Sequence, residues 1–465
     1  MTDLTERTFK RLGKQLSGHL SLPGDDGYAA ATAIWAKPVG TLPRAVIHCR
    51  TREDVQAAVR AARDCYLPLS VRGGGHDWAG RALCDGLVID LSLMNQVVVG
   101  TNFRTAQVAG GARASDVIAV TDPLELAMAM GSVGAVGVAG LTLGGGYGSL
   151  IGRCGLALDN LLAAEVVLAD GHVVIAKPDS EEDLFWALRG GGGNFGVVTA
   201  MHHRLHDLPS VRSGMLVFPF AEAKSVLQGC VEMLASAPEE LTAQLGFVTS
   251  PDGPPVVFVV PTWCGLPEEG TARLAPFYKL GSLLTCNVMK QSYGDSLRIF
   301  DGHFINGQRV FMETSWLSAL DGHSIDVLIQ AMENVASPGC AIVTHEFKGA
   351  ATRVPLAATA FGLRQEHVLV EIIATFTDRS DIREEIRHQH WAQSTRQSLH
   401  GTALPGGYPN LLAGNDTERV AKSYGSNLHR LLRVKRQYDP MNLFSSAIPL
   451  PLYQHNRRRL LSARF

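Results

Sequence analysis

Apolar and polar positions alternate along this chain with two different spacings. AVIHCR (45–50) is a short apolar run of the strand type, and REDVQAAVRAARDC (52–65) sets Val55, Val59 and Ala62 on one face at helical spacing. Thr51 stands where that helix needs an N-cap. PLSVR predicts a second strand that runs into glycines. GLVIDLSLM (86–94), AQVAGGA (106–112) and EVVLADGHVVIA (165–176) read as further strands, the last folded at Asp170-Gly171 into a hairpin. DLFWALRG (183–190) reads as a helix that stops at glycine. From about residue 207 to 400 the alternating runs lengthen: VVFVVPTW (256–263), CAIVTHEF (340–347) and HVLVEIIATF (367–376), with a helix at IDVLIQAMENVA (325–336). That order predicts an α+β region with a sizeable mixed or antiparallel sheet.

Glycine breaks the pattern in one part of the chain. VRGGGH, VAGGARAS, MGSVGAVGVAGLTLGGGYG and RGGGGNFGVV all fall between about residues 70 and 200, and the clusters then nearly vanish until LPGGYPN (404–410). Glycine clusters mark sharp turns or close backbone approach. Successive N–H groups at Gly73-Gly74-Gly75 can form a concave anion nest of the kind that holds a diphosphate, with Arg72 beside it either adding charge or turned away. A plain strand-to-helix turn with a solvated His76 is the rival reading. The 131–148 run, with almost no polar side chains, is expected to form neither ordinary helix nor ordinary strand, and to line a flat, extended cofactor with main chain. RGGGGNFGVV follows a helix rather than a strand, which disfavours the usual dinucleotide fingerprint.

Composition narrows the classes. At 465 residues the chain is too long for one core, and 46% hydrophobic residues supply an ordinary globular interior. Forty-two Lys+Arg against forty-four Asp+Glu leave no electrostatic footprint for nucleic acid or an anionic membrane. The basic run Arg457-Arg458-Arg459 reads as a solvated tail. The N-terminus has no apolar signal core, and no stretch reaches the ~18 apolar residues of a membrane span. Eight scattered cysteines without a CxxC pair read as reduced thiols of a cytoplasmic protein. The histidines lack ligand spacing such as HExxH, and no metal site is expected.

VRGGGHDWAG, VGVAGLTLGGGYG, GLALDNLLAAEVVLADG, DLFWALRGGGGNFGVVT and VKRQYDPMNLF resemble, in order and spacing, the berberine-bridge-enzyme-like flavin oxidases of the vanillyl-alcohol-oxidase superfamily. The resemblance implies an α+β protein in which a two-part FAD-binding domain, residues 1–206 and 404–465, holds an inserted α+β substrate domain, 207–403, on a large, mostly antiparallel sheet. It implies FAD bonded covalently through His76. The cofactor would lie against Arg72, Gly73, Gly74, Gly75, Asp77, Gly131, Ser132, Gly137, Gly140, Leu141, Gly145, Gly146, Tyr147, Gly148, Val198, Tyr408 and Asn410. Many relatives attach the flavin a second time through a cysteine; Val133 occupies that place here, and Cys154 reads as structural, so one bond is expected. Relatives usually read FPHR where this chain has FGLR (361–364), which sets Leu363 in place of a histidine near the pocket.

Two residues compete for the base that such chemistry needs. Tyr408, in GGYPNLL, matches the family's tyrosine motif but serves only if its pKa falls from about 10. Glu371 interrupts an apolar strand and shares a face with Leu369, Ile373 and Thr375, where burial would raise its pKa; an edge-strand carboxylate in an ion pair is the alternative. Glu346, with Lys348 nearby, is a weaker third. The implied activity is oxidation of an alcohol or amine carbon in a small natural-product-like or heteroaromatic substrate, with molecular oxygen reduced to hydrogen peroxide. A dehydrogenase using another acceptor and a carbohydrate oxidase are the alternatives. A monomer or homodimer is expected.

Overall fold

The computed structural model describes residues 3–37, 42–249, 253–303, 306–376 and 382–451; the Arg457–Arg459 run lies outside them. The expected helix forms over Arg52–Asp64. Thr51 Oγ1 accepts the Asp54 N–H at 3.2 Å and the Asp54 carboxylate accepts the Thr51 N–H at 3.3 Å, closing a capping box. The same carboxylate accepts from Ser17 N–H at 2.8 Å and Arg50 N–H at 2.9 Å, so one buried aspartate also secures the end of the N-terminal helix.

This helix lies on a four-stranded sheet ordered His19–Ser21, Ala45–His48, Leu87–Asp90, Leu69–Arg72, the last three strands parallel. Strand Leu69–Arg72 delivers the chain into the triple glycine at its carboxyl end, where open α/β sheets bind ligands. The strand expected at 86–94 stops at Asp90: its carboxylate accepts the Ser92 N–H at 3.0 Å and turns the chain away. A second, antiparallel sheet runs Val97–Val99, Thr105–Ala109, Val197–Arg204, Leu161–Val167, Val173–Ala176. Its last pair is the hairpin read at Asp170-Gly171, where Gly171 takes φ 83°.

The glycine-rich 131–148 stretch departs from expectation, because it contains a helix, Val138–Gly144. Val138, Ala139, Thr142 and Leu143 are buried there, and that burial outweighs the ~1 kcal/mol by which each glycine disfavours helix.

The third sheet has nine strands, antiparallel throughout. Five strands follow one another in the order Pro255–Trp263, Leu241–Thr249, Ala341–Phe347, His367–Phe376 and Arg309–Leu317, the last at the edge of the sheet. Alternation gives each strand two faces. In His367–Phe376, Val370, Ile372 and Ala374 enter a core shared with residues of the helices Ala223–Ala235, Gly322–Glu333 and Ile382–Ser398. Leu369, Glu371 and Ile373 point the other way, into a cavity. Among the described residues no helix is long and apolar enough to cross a membrane, and all eight cysteines are unpaired.

His202 and His203 face opposite ways, the first exposed and the second fully buried. Neither ring nitrogen of His203 finds a partner among the described residues, and burial drives its pKa down to about 3. Below pH ~6.5 the unfolded imidazole takes a proton that the folded one refuses, so stability must fall steadily as pH drops from about 6.5 toward 3. His203→Leu is therefore expected to flatten the fall of melting temperature between pH 6.5 and 4, read by scanning calorimetry. An unchanged slope would show that His203 is not a principal acid trigger.

Candidate active site

A cavity of about 340 Å³ runs from the carboxyl end of the parallel sheet to the free face of the nine-stranded sheet. Main chain at Gly73–Gly75, Gly131, Gly137, Gly140 and Gly192-Gly193 lines one part, and Gln244, Met312, Val343, His345, Glu371 and Ile373 line another. His76, Asp77, Ser132, Leu141, Tyr147, Val198, Tyr408 and Asn410 also border it. The structure thus brings together most of the residues singled out in the sequence.

It places others elsewhere. The Arg72 guanidinium turns away from the cavity, pairing with Asp90 at 3.0 Å and donating to the Ala33 carbonyl at 3.1 Å. It stiffens the strand that carries the glycines and is not a wall residue. Gly145, Gly146 and Gly148 are not wall residues either. A Cβ on Gly145 would stand 2.9 Å from the Tyr408 ring, one on Gly146 2.4 Å from Ala157 Cβ, and one on Gly148 1.8 Å from the Met130 carbonyl oxygen. A Cβ on Gly144 would strike the Asn410 amide at 2.2 Å. The GGG triplet is therefore a seat for Tyr408 and Asn410. Leu363 joins a cluster with Tyr147, Phe347 and Phe361 and does not border the cavity.

Gly74 and Gly137 explain each other. A Cβ on either would lie 2.4 Å from the backbone nitrogen of the other, so the two glycine loops touch main chain to main chain. Just beyond that contact, the His76 ring stacks on Trp35, centroids 4.5 Å apart and planes 8° apart. Burial holds the His76 imidazole down at about 4, against the opposing pull of Glu371 and Asp77.

On the opposite wall, Glu371 Oε1 lies 3.2 Å from His345 Nε2, and the Gln244 amide nitrogen donates to His345 Nδ1 at 3.2 Å. With Nδ1 accepting, the imidazole carries its proton on Nε2 and donates it to Glu371. Alternation along CAIVTHEF puts His345 on the cavity face with Val343; the sequence reading passed over it for Glu346. Glu346 is half-buried and lies off the cavity, accepting the Ala243 N–H at 2.7 Å with Lys348 Nζ 3.7 Å away, and desolvation raises its pKa.

Tyr408 is buried, and its hydroxyl oxygen accepts N–H bonds from Gly146 at 2.9 Å and Asn410 at 3.2 Å. Burial pushes its pKa up to about 12 despite those bonds, the reverse of what a tyrosinate base requires. Tyr147 donates to His367 Nε2 at 2.7 Å, since His367 Nδ1–H is engaged by the Gln365 carbonyl at 2.8 Å. Phe444, Ser446 and Ala447 complete the wall from the C-terminal segment. Buried Lys435 anchors that segment, bonding Asp439 at 2.5 Å and the Phe444 carbonyl at 3.0 Å.

Residues 43–177 match the FAD binding domain family, and residues 407–451 match the berberine and berberine like family. The chain is 30% identical to (R)-6-hydroxynicotine oxidase of Paenarthrobacter nicotinovorans, over 92% of this chain and 95% of the relative. It belongs to the berberine-bridge-enzyme-like FAD-linked oxidoreductases. FAD-linked oxidoreductase pgmH of Aspergillus terreus is 29% identical over 96% of both chains. Among solved structures, 6-hydroxy-D-nicotine oxidase of Arthrobacter nicotinovorans superposes with a TM-score of 0.85 at 26% identity, covering 94% of this chain and 98% of that one. A chitooligosaccharide oxidase shares the fold, with a TM-score of 0.82 at 22% identity.

The cavity of this FAD-linked oxidoreductase fits its cofactor class. Ser132 borders it and its buried Oγ has no partner among the described residues, and a Cβ added at Gly140 would meet nothing within 4 Å. A polar atom awaiting a ligand and a glycine facing open space mark a wall shaped for something other than protein. Two glycine variants separate fold from wall. Gly74→Ala is expected to destabilise the protein by ~1–3 kcal/mol or more through backbone overpacking. Gly140→Ala is expected to keep or slightly raise the melting temperature while lowering the 450 nm flavin absorbance per chain. Equal flavin content in Gly140→Ala and wild type would remove Gly140 from the cofactor surface.

Proposed function

We propose that this enzyme is an oxidase that removes a hydride from an alcohol or amine carbon of a small, natural-product-like or heteroaromatic substrate, with molecular oxygen as final acceptor and hydrogen peroxide as product. The observation that carries the reading is the placement of His76 and Glu371 on one cavity, the histidine beside the glycine walls and the carboxylate on the facing sheet. The 30% identity to a hydroxynicotine oxidase supports a heteroaromatic substrate. The sheets built from residues 19–204 and 211–376 support a division close to 206/207, although the short strand His206–Asp207 spans that point and pairs with Leu126–Ala127 of the first part, and residues 444–448 return to the glycine-lined side of the cavity.

When bound, FAD supplies the two-electron acceptor. His76 is the residue to hold it covalently. Its low pKa keeps the ring neutral at physiological pH, so a nitrogen lone pair is available for bond formation, and the Trp35 stack fixes the plane of the ring. No cysteine borders the cavity among the described residues; Val133 does, and Cys154 lies outside it with its thiol pushed up by burial to about 11. One covalent bond is the arrangement these facts support. Glu371 is the group to take the proton from substrate O–H or N–H. Tyr408 remains a phenol, with its oxygen held by Gly146 and Asn410 and its own proton left to donate.

Denaturing gels of wild type and His76→Ala, imaged for flavin fluorescence, test the attachment. Fluorescence should travel with the wild-type band and be absent from the variant. Retention in the variant would implicate another residue. A colourless, non-fluorescent wild type would end the oxidase reading.

A further inference from the structure

His76 is gripped through its neighbours in the chain. The Trp35 N–H donates to the Gly75 carbonyl at 2.9 Å and the Ala36 N–H to the Asp77 carbonyl at 3.4 Å, so residues 35–36 bond the backbone on both sides of the histidine. The other edge of the same short segment is strapped to the nine-stranded sheet. The Gly307 N–H donates to the Ile34 and Trp35 carbonyls at 2.9 and 3.0 Å, and the Gln308 N–H to the Trp35 carbonyl at 3.1 Å. In return the Lys37 N–H donates to the Gln308 carbonyl at 2.6 Å. Gln308 directly precedes the edge strand Arg309–Leu317 and pairs with Ala36 in a parallel bridge. Its side-chain oxygen accepts the indole N–H of Trp35 at 3.3 Å. Trp35 is buried in one apolar cluster with Met312 and Ile373 of that sheet.

A histidine ring turns about two side-chain bonds, and a nitrogen that is to form a bond must be held on one line of approach. The Trp35 ring, 4.5 Å away and within 8° of parallel, restricts that rotation. Its own attitude is set from behind, by the main-chain ladder and by Gln308. We propose that Trp35 and the 307–308 strap are positioning elements for attachment of the flavin to His76, and that the bond forms only after the edge strand has docked on residues 34–37. The proposal rests on the reading of His76 as the attachment residue. Attachment breaks one C–H bond of a flavin ring methyl and one N–H bond of His76, and forms one C–N bond. The two protons and two electrons set free stay on the flavin, which is thereby reduced, until molecular oxygen takes them as hydrogen peroxide. An incompletely folded chain therefore holds its flavin reversibly, and a finished one irreversibly.

The test uses the full-length chain from riboflavin-limited cells, incubated with excess FAD and sampled over time. Covalent flavin is read as fluorescence travelling with the chain in denaturing gels, and total bound flavin as absorbance after desalting. Trp35→Leu removes the stacked ring and should slow covalent incorporation about tenfold, the upper worth of one aromatic pair, at unchanged total bound flavin. Trp35→Phe keeps a ring and loses the indole N–H, and should stay within about threefold of wild type. Gly307→Pro deletes the N–H that straps Ile34 and Trp35 and cannot take the native φ of 86°, while a Cβ there would meet nothing within 4 Å. It should slow incorporation to a similar degree as Trp35→Leu. A merely structural role would lower bound and covalent flavin together. That parallel loss, incorporation at the wild-type rate in Trp35→Leu or Gly307→Pro, or a Trp35→Phe chain as slow as Trp35→Leu, overturns the proposal. If Trp35→Leu does not fold, Gly307→Pro, at an exposed position, decides by the same two readouts. A wild type without covalent flavin fails the His76 reading and this proposal with it. A wild type that attaches flavin while both variants keep pace fails this proposal alone.

Discussion

The main-chain contact between Gly74 and Gly137 is the constraint on which the cavity depends. Two loops from distant elements meet with no side chain between them, at a separation that a single Cβ would forbid. That closeness puts a neutral His76, stacked on Trp35, on the same cavity as residues of the helix Val138–Gly144. The GGG triplet at the end of the same helix then seats Tyr408 and Asn410 from the C-terminal part of the chain. Close approach at one point thus sets the positions of three segments far apart in sequence.

The facing wall depends on strand alternation. His367–Phe376 buries Val370, Ile372 and Ala374 under the helices, and that burial holds Leu369, Glu371 and Ile373 in the cavity. A slip of one residue would move the carboxylate into the helix-covered core at a cost of several kcal/mol, so register and chemistry are enforced together. The Gln244–His345–Glu371 chain crosses three neighbouring strands and orders the polar groups on an otherwise apolar face.

Much of the local architecture was legible because its causes are local. The N-cap at Thr51, the hairpin at Asp170-Gly171 and the strand at 367–376 follow from short-range hydrogen bonding and from a period of two. The helix at 138–144 was not legible, because glycine's weak propensity is overcome by burial that no local pattern reveals. His345 carried a usable signal, its parity with Val343, yet its importance comes from Glu371 and Gln244 on neighbouring strands.

The sequence by itself determined most element types outside the 131–148 glycine run, the family, the parity of Glu371 and the clustering of glycine, since each depends on residue identity and spacing along one stretch of chain. Only the tertiary structure decided what the glycines are for. Gly140 faces the cavity alone, Gly74 and Gly137 border it while making room for each other, and Gly145 and Gly146 make room for protein only. It also turned Arg72 toward Asp90 and raised the Tyr408 pKa through burial. A glycine, an arginine or a phenol has no fixed role of its own. What it contacts after folding sets its electrostatics and its available space, and those contacts come from segments tens to hundreds of residues away.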